Sequence, residues 1–349
     1  PARRAPARGA RRPPAGPEGH PPPPPGAPDE VRRRASRCGE KPRPRAHPPP
    51  ANVQELRQVI VQTPIRLGIV GPGLIWEKAH RPVVEELGDL YRISAFSATS
   101  ERSRQKVARE YPGVPFFADY HDLVRSPDID AVVVLTPIPL NAPVGLAALE
   151  AGKHVFLEKP MGTSLREGEE LARVARESGR RLFVLEQDGY RAVWARMREV
   201  LSSGDLGELV MYDRVSHGVF DAGAHANAGY GRTTWRQRPE FPLGTLWDGG
   251  HHEIAALAQL FGPPAAVTAH GYRARAEFGE YDQVLMLLEY PGTLRGVFSH
   301  SSYLGGGRNY MNVRGTEGLV FRERGRLVVR SRVGEERTVP LRDDNPHLT

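Results

Sequence analysis

The chain contains little that would cross-link it or anchor it in a membrane. It has one cysteine, Cys38, among 349 residues, which excludes an intrachain disulfide and argues against a cysteine-ligated metal site. No apolar run is long enough to span a membrane. A secretory signal needs an apolar stretch after its basic residues, and none occurs before Val59. We therefore predict a cytoplasmic protein.

Net charge is small outside the N-terminal segment. Residues 1–60 carry thirteen Arg and Lys against five Asp and Glu, a net of +8, whereas the whole chain carries +7. Residues 1–50 also hold sixteen of the thirty-three prolines. Because this segment has too few apolar side chains to offset the entropy of ordering, we predict a disordered tail over residues 1–60.

The tail has two interpretations. It is a solvated extension, or translated sequence upstream of the true start, since the chain begins with Pro1 and not with Met. The functional alternative is contact with nucleic acid, a membrane surface or a partner that recognises polyproline. We favour the first interpretation, and we predict no nucleic-acid or membrane partner.

The first half of the remaining chain alternates short apolar runs with longer helical stretches. This pattern is typical of a parallel sheet covered by helices. It predicts a dinucleotide-binding Rossmann domain over residues 61–187. The predicted strands are 65–70, 93–98, 131–135, 154–157 and 181–185, and the predicted helices are 103–110, 143–151 and 164–178.

After Gly207 the apolar runs are bounded by glycine and proline turns, which is typical of a mainly antiparallel sheet. One amphipathic helix near 246–261 interrupts them. We predict an α+β domain with an open-faced sheet over residues 188–349, so the fold class is α/β followed by α+β. The predicted strands are 267–272, 284–290, 294–300, 310–314 and 327–333.

The first predicted strand is followed by a Gly-Pro-Gly turn at residues 71–73. Gly71 permits a tight turn, Gly73 lets a pyrophosphate approach the backbone, and the helix beginning near Leu74 offers unpaired N–H groups to phosphates. Trp76 stands where a third, small residue usually brings helix and strand together. Either the helix packs against the strand differently from the usual arrangement, or the Trp76 indole points away from the contact between them.

The end of the second strand indicates which dinucleotide is bound. An acidic residue there binds the ribose hydroxyls of NAD, whereas basic and hydroxyl groups accept the 2′-phosphate of NADP. No acid occupies that position; Thr99 and Ser100 are followed by Arg102 and Arg104. We predict NADP or NAD as the cofactor, with a preference for NADP. The alternative is that both arginines are solvated helix residues.

Two further motifs supply ionisable groups. Lys159, in a Glu-Lys-Pro triplet after the fifth strand, lies at the sheet edge where open α/β folds bind ligands. Asp248 and His252 are four residues apart, so one helix face would carry both, and the carboxylate would orient the imidazole. We predict hydride transfer with Lys159, Asp248 and His252 as catalytic residues. In the alternative, Asp248 caps the helix and the histidines are interior polar groups.

A metal site is a further alternative. Candidate ligands are present, but none of their spacings forms a helical His-x-x-x-His pair, so we predict no metal. The stretch 216–230 is rich in small residues with a few polar groups, and we interpret it as a substrate loop. The candidate ligands are His217, Asp221, His225, His251 and His252.

The three motifs, in this order, resemble the Gfo/Idh/MocA family of oxidoreductases, named for glucose-fructose oxidoreductase, inositol dehydrogenase and rhizopine catabolism. The resemblance runs from about Pro64 to the C-terminus. It implies a homo-oligomer that oxidises or reduces a sugar, cyclitol or polyol with NAD(P). It also implies further cofactor contacts, and a closing helical stretch that this chain lacks, so we expect C-terminal truncation. The implied cofactor contacts are Thr136, Pro137, Asn141, Glu158, Lys159, Gln187, Trp235 and Arg236.

Two rival functions stay open at this point. A dinucleotide-binding regulator of the same fold would keep the glycine turn without turnover, and Trp76 leaves room for it. A scaffold would recruit partners through the Arg- and Pro-rich tail. Lys159, Asp248 and His252 together favour the enzyme, because a regulator has no need of proton-transfer groups.

Overall fold

The computed structural model describes residues 63–218, 233–238, 244–275, 279–302, 309–323 and 325–341. The predicted tail, most of the predicted substrate loop, and the candidate metal ligands Asp221 and His225 lie outside these residues.

The first domain is built on a parallel sheet. Its strands are β1 (Ile65–Val70), β2 (Tyr91–Ser97), β3 (Phe116–Phe117), β4 (Ala131–Val134), β5 (His154–Glu158) and β6 (Leu182–Leu185). They lie in the order β3-β2-β1-β4-β5-β6. The order reverses between β1 and β4, and in such sheets the ligand crevice lies at the carboxyl ends of the strands at this reversal.

Helices cover both faces of this sheet, and three of the five in the described part of this domain correspond to the helices predicted at 103–110, 143–151 and 164–178. They are α1 (Arg81–Glu86), α2 (Glu101–Glu110), α3 (Tyr120–Arg125), α4 (Ile138–Glu150) and α5 (Leu165–Glu177). The prediction began α4 at Pro143, but the helix starts five residues earlier and Pro143 lies inside it. A π-helical segment, Trp76–His80, precedes α1.

The second domain is built on a mostly antiparallel sheet. Its strands are β7 (Leu209–His217), β8 (Ala266–Tyr272), β9 (Gln283–Glu289), β10 (Arg295–Ser301), β11 (Asn309–Gly315), β12 (Gly318–Glu323), β13 (Arg326–Ser331) and β14 (Glu336–Val339). They lie in the order β14-β13-β12-β11-β7-β10-β9-β8, with β7 and β10 parallel. The predicted α/β and α+β fold classes are confirmed.

One face of this sheet carries the domain's core. The helices α6 (Ala192–Ser203) and α7 (His251–Phe261) pack against it through buried side chains such as Trp194, Met197 and Leu257. On β9, Leu285 and Leu287 point to the opposite face and are more than half exposed. The sheet therefore presents one buried and one open face, as expected for an antiparallel sheet.

None of the helices among the described residues has the length and apolar character needed to cross a membrane.

Candidate active site

A cleft of about 1330 Å³ lies at the carboxyl ends of the first sheet's strands and extends to the second domain. It is larger than the roughly 300–1,000 Å³ of an ordinary small-molecule pocket. Residues of both domains line it. Among the predicted site residues, those that line it are Gly71, Gly73, Leu74, Thr99, Ser100, Thr136, Pro137, Glu158, Lys159, Gln187, Trp235, Arg236, Asp248 and His252.

The glycine turn forms the floor of the cleft next to β1. Gly71 has a φ of 82°, and a Cβ there would lie 2.8 Å from the carbonyl oxygen of Leu135. Only glycine combines this backbone conformation with this approach. At Gly73 a Cβ would meet nothing closer than 3.9 Å, so that side of the turn is open. The turn therefore fits a bound pyrophosphate.

Trp76 is fully buried in the core of the first domain, where its ring meets Phe96 edge-on at 5.9 Å. The helix after the glycine turn begins with the π-helical segment at this tryptophan. The wider turn accommodates an indole where a small residue was expected. Of the two sequence interpretations, the helix does sit differently, and the side chain points into the core.

The far end of the cleft is lined by hydroxyl groups where β2 ends and by Asp119, which caps α3 after β3. Ser100 caps α2, because its Oγ accepts a hydrogen bond from the Ser103 amide at 3.1 Å. Ser103 also lines the cleft. Neither Arg102 nor Arg104 is among the lining residues, and Arg104 lies 3.7 Å from Glu101 on the exposed face of the helix. The two arginines are therefore surface residues in this structure.

Asn141 lies behind the cleft wall and is fully buried. Its amide nitrogen donates to the carbonyl oxygens of Glu158 at 3.2 Å and Pro160 at 2.9 Å, and its oxygen accepts from Thr136 Oγ1 at 2.8 Å. Both N–H groups are used, so none is left for a cofactor. The structure gives Asn141 a supporting position in place of the predicted cofactor contact.

Glu158 and Lys159 lie where β5 ends. One Glu158 carboxylate oxygen is 2.7 Å from His80 Nε2, and the other accepts from the Lys159 amide at 3.0 Å. The peptide bond between Lys159 and Pro160 is cis. Lys159 Nζ donates to the backbone oxygen of Asp248 at 2.9 Å and lies 3.3 Å from its Oδ1. The lysine thus reaches from the first domain to the second.

Asp248 is buried between two cations. Besides Lys159, Arg236 donates from Nε to Asp248 Oδ2 at 2.7 Å, and its guanidinium stacks over the Trp235 ring at 4.0 Å. Burial raises the pKa of the Asp248 carboxyl, but the charges of Lys159 and Arg236 outweigh it, so the pKa lies well below its usual range. Asp248 is therefore a fixed anion at neutral pH.

His252 is paired with a different carboxylate from the one we predicted. Its Nδ1 lies 2.8 Å from Glu186 Oε1, at the end of β6, whereas Asp248 is occupied by Lys159 and Arg236. The prediction assumed a regular α-helix from Asp248 to His252. The segment Leu246–Gly250 is π-helical, and the regular helix begins only at His251.

Two family models match the chain: an oxidoreductase family with an NAD-binding Rossmann fold over residues 65–186, and the GFO/IDH/MocA C-terminal domain over residues 194–321. The trans-1,2-dihydrobenzene-1,2-diol dehydrogenase of Mus musculus is 31% identical over 266 residues, which cover 73% of this chain and 73% of that relative. The chain belongs to the Gfo/Idh/MocA family of oxidoreductases. The predicted family is confirmed.

Other members of the Gfo/Idh/MocA family support the same assignment. The scyllo-inositol 2-dehydrogenase (NADP(+)) IolW of Bacillus subtilis is 31% identical over 233 residues, 67% of this chain and 62% of that relative. The chain thus spans less than two thirds of this curated relative. A crystal structure of an oxidoreductase from Thermotoga maritima superposes with a TM-score of 0.70 at 26% identity, covering 80% of this chain and 84% of that one.

Sequence reasoning missed two side chains of this site, His80 and Glu186. Glu186 follows β6 at the carboxyl edge of the sheet, so its position alone was a signal. His80 carries no such signal, because its approach to Glu158 depends on the π-helical segment that ends with it. His251 lies 3.7 Å from Glu186 and is not among the residues that line the cleft.

Proposed function

We propose that this chain transfers a hydride between NADP or NAD and a sugar, cyclitol or polyol-type alcohol or its carbonyl. The observation that carries the proposal is the meeting of Lys159, Asp248 and His252 in the cleft that begins at the Gly71 turn. Family membership and the dehydrogenases among the relatives support it. We also propose that the dinucleotide-binding domain ends at residue 187 and that the α+β domain begins at residue 188.

The proton chemistry follows from the charges. When bound, the nicotinamide supplies the hydride acceptor or donor. Lys159, held as a donor by the Asp248 oxygens, uses its remaining N–H to hold the substrate oxygen. His252 takes the hydroxyl proton in the oxidative direction and returns it in the reductive one. Asp248 stays ionised and fixes Lys159 and Arg236.

The substrate class rests on the names of the relatives. One relative is named for scyllo-inositol and another for a ring diol, and both compounds carry neighbouring hydroxyl groups on a six-membered ring. We infer a ring alcohol with adjacent hydroxyls. One hydroxyl would meet Lys159 and His252, and its neighbour would lie near polar lining residues such as Glu253.

We infer a preference for NADP from the hydroxyl-lined end of the cleft. The end of β2 offers the hydroxyls of Thr99 and Ser103, since Ser100 Oγ already donates to Ser103 Oγ, and no carboxylate occupies the usual position at that strand end. A 2′-phosphate would accept hydrogen bonds from such groups, whereas a strand-end carboxylate would repel it. Arg102 and Arg104 lie outside the cleft and are not part of this proposed phosphate contact.

We also infer that two copies pair through the open face of the second sheet. Leu285 and Leu287 on β9 and Met211 on β7 are exposed by 40% or more on that face. Large exposed apolar side chains on one face are typical of an interaction surface. The cytoplasmic location stays a prediction from the sequence.

Binding and turnover together test the proposal. The purified protein is titrated with NADPH and with NADH while tryptophan fluorescence is followed, since Trp235 lines the cleft. Inositols and trans-cyclohexane-1,2-diol are then offered with the oxidised form of the dinucleotide that binds, NADP⁺ or NAD⁺, and its reduction by the alcohol is followed by absorbance. Tight binding with turnover supports the enzyme. Binding by a folded sample without turnover on any ring alcohol, sugar or polyol supports the regulator.

A further inference from the structure

Glu186 links two neighbouring histidines of the second domain to the end of β6. Its Oε1 lies 2.8 Å from His252 Nδ1 and accepts from the Asp188 amide at 2.9 Å. Its Oε2 lies 3.7 Å from His251 Nε2. The Glu186 side chain is only 10% exposed. The carboxylate therefore sits at the beginning of α7, where it contacts His252, a residue that lines the cleft.

The hydrogen bond between Glu186 and His252 determines which imidazole nitrogen carries the proton. Burial raises the pKa of the Glu186 carboxyl, but the hydrogen bond from His252 and the nearby imidazoles outweigh it, and the pKa is lowered. An ionised carboxylate only accepts hydrogen bonds, so His252 Nδ1 must carry the proton. In the neutral ring Nε2 is then the proton acceptor, and His252 lines the cleft.

We propose that Glu186 is the positioning residue of His252, in place of Asp248, holding the imidazole in the tautomer that presents a free Nε2 to the substrate hydroxyl. This inference rests on the proposed function for its catalytic meaning. The arrangement matches the logic of a carboxylate behind a catalytic histidine, where the carboxylate fixes the tautomer and stabilises the imidazolium that forms.

Other charged groups surround this pair from each packed element. His251 lies beside it on α7, and Asp188 follows it on the β6 side, where Arg191 lies 3.5 Å from the Asp188 carboxylate. The charges of Lys159 and Asp248, which line the cleft, also act on His251. Of these groups, Glu186 makes the only described side-chain hydrogen bond to the His252 ring.

A metal ion is the competing explanation for the same atoms. Ligand atoms of Glu186, Asp188 and His252 lie within 4.8 Å of one another. However, the 2.8 Å contact between Glu186 Oε1 and His252 Nδ1 is hydrogen-bond distance, and a proton on Nδ1 prevents that nitrogen from binding a metal. The geometry therefore favours the carboxylate–imidazole pair.

The kinetic test compares wild type with Glu186→Gln in the full chain. The variant keeps the size of the side chain but not its charge, and an amide can also favour the wrong imidazole tautomer. We expect kcat/KM for the alcohol to fall by about tenfold or more, and the acidic limb of its pH profile to move to lower pH. Cofactor affinity and melting temperature should stay close to wild type. Glu170→Gln, on the exposed face of α5, is the matched control.

A second measurement does not depend on turnover. In protein with ¹⁵N-labelled histidine, the His252 resonances are assigned by comparison with His252→Asn. The Nδ1-protonated tautomer should dominate in wild type at neutral pH and lose that dominance in Glu186→Ala. An unchanged pH profile and an unchanged tautomer in folded variants would overturn the proposal, as would loss of wild-type activity in EDTA with recovery on adding zinc.

The two hypotheses fail in different ways. If wild type turns over no alcohol with either dinucleotide, the proposed function fails, and the tautomer measurement still decides the role of Glu186. If wild type is active and Glu186→Gln matches it at every pH, the role of Glu186 fails and the proposed function stands.

Discussion

Lys159 Nζ lies 2.9 Å from the backbone oxygen of Asp248, a residue 89 positions further along the chain. The same nitrogen lies 3.3 Å from the Asp248 carboxylate, and the two side chains are 15% and 7% exposed. A lysine held by two acceptors at a nearly dry site keeps one N–H for a third partner. In the proposed reaction this N–H holds the substrate oxygen.

Replacing this lysine should therefore affect turnover more than binding of the dinucleotide. For Lys159→Met we expect kcat/KM for the alcohol to fall by about 10²–10³-fold, the usual cost of removing a donor that holds the reacting oxygen. The dissociation constant for the preferred dinucleotide should rise far less. Lys159→Arg keeps the charge and should recover only part of the activity. Full activity in Lys159→Met would remove this residue from the mechanism.

The Asp248 carboxylate should make stability depend on pH in the acid range. Its pKa in the folded protein lies below its ordinary value of 3.8 because of Lys159 and Arg236, after burial is overcome. Its stabilisation is therefore complete above that ordinary value and is lost as the pH falls through the lowered pKa. Urea unfolding of wild type should show this loss below about pH 4.

The Asp248→Asn variant should lack that acid dependence. At neutral pH it leaves two poorly hydrated cations without their anion, so we expect the free energy of unfolding to fall by about 3–5 kcal/mol. Asp205→Asn, on the exposed surface, should change little. Parallel pH profiles for wild type and Asp248→Asn would contradict this account.

His300 should weaken the protein as the pH falls from neutral. It lies on β10, 7% exposed, and neither ring nitrogen has a hydrogen-bond partner among the described residues. Burial lowers the pKa of His300 to about 4 from 6.5. The unfolded chain binds this proton below pH 6.5 and the folded chain does not, so stability falls between about pH 6.5 and pH 4.

The His300→Leu variant should remove this slope. We expect it to be more stable than wild type at pH 4.5, by up to about 3 kcal/mol. Denaturant unfolding at several pH values measures the difference. His270→Leu, on the exposed strand β8, serves as the control. A slope that survives in His300→Leu would assign the effect to another group.

A carboxylate at the end of β2 should change the preference between the two dinucleotides. Thr99→Asp places an anion where a 2′-phosphate would lie and offers an acceptor to a free ribose hydroxyl. We expect the ratio of NADPH to NADH affinity to fall by about tenfold or more. Fluorescence titration measures both constants, and Arg102→Ala is the companion variant. A larger effect of Arg102→Ala would return the phosphate contact to the arginine.

Charges on the open sheet face should separate the two copies. We expect Leu285→Glu combined with Leu287→Glu to yield folded monomers, because both side chains are more than half exposed in the single chain and are not part of its core. Light scattering coupled to size-exclusion chromatography gives the mass. A wild type that is monomeric across the accessible concentration range would contradict the inferred pairing.

Most of the first domain could be predicted, because its buried parallel strands are continuous apolar runs such as Ala131–Val134. The second domain was harder. The strand β7 carries Asp213 and Arg214 in its middle, and Arg214 is 2% exposed. Its guanidinium is neutralised by Glu253, 39 residues away, which no local pattern reveals.

In the site, too, the features with a local sequence signal could be predicted and those that depend on distant residues could not. Lys159, Asp248 and His252 were found because each lies in a short motif, and the structure brings them to one cleft. Their pairing was predicted incorrectly, because it depends on the π-helical turn before His251 and on how Glu186 meets the second domain. Spacing along one helix could not indicate a partner on another sheet.

The charge balance at Asp248 also bears on how freely the two halves of the chain can be exchanged. One of its neutralising cations, Lys159, comes from the first domain and the other, Arg236, from the second. In a chimera that joins this second domain to a Rossmann domain without a lysine at the end of the fifth strand, the buried Asp248 carboxylate would have only one of its two neutralising cations. A second domain of this kind can therefore be joined to a relative's Rossmann domain only if that domain has a lysine at the position of Lys159.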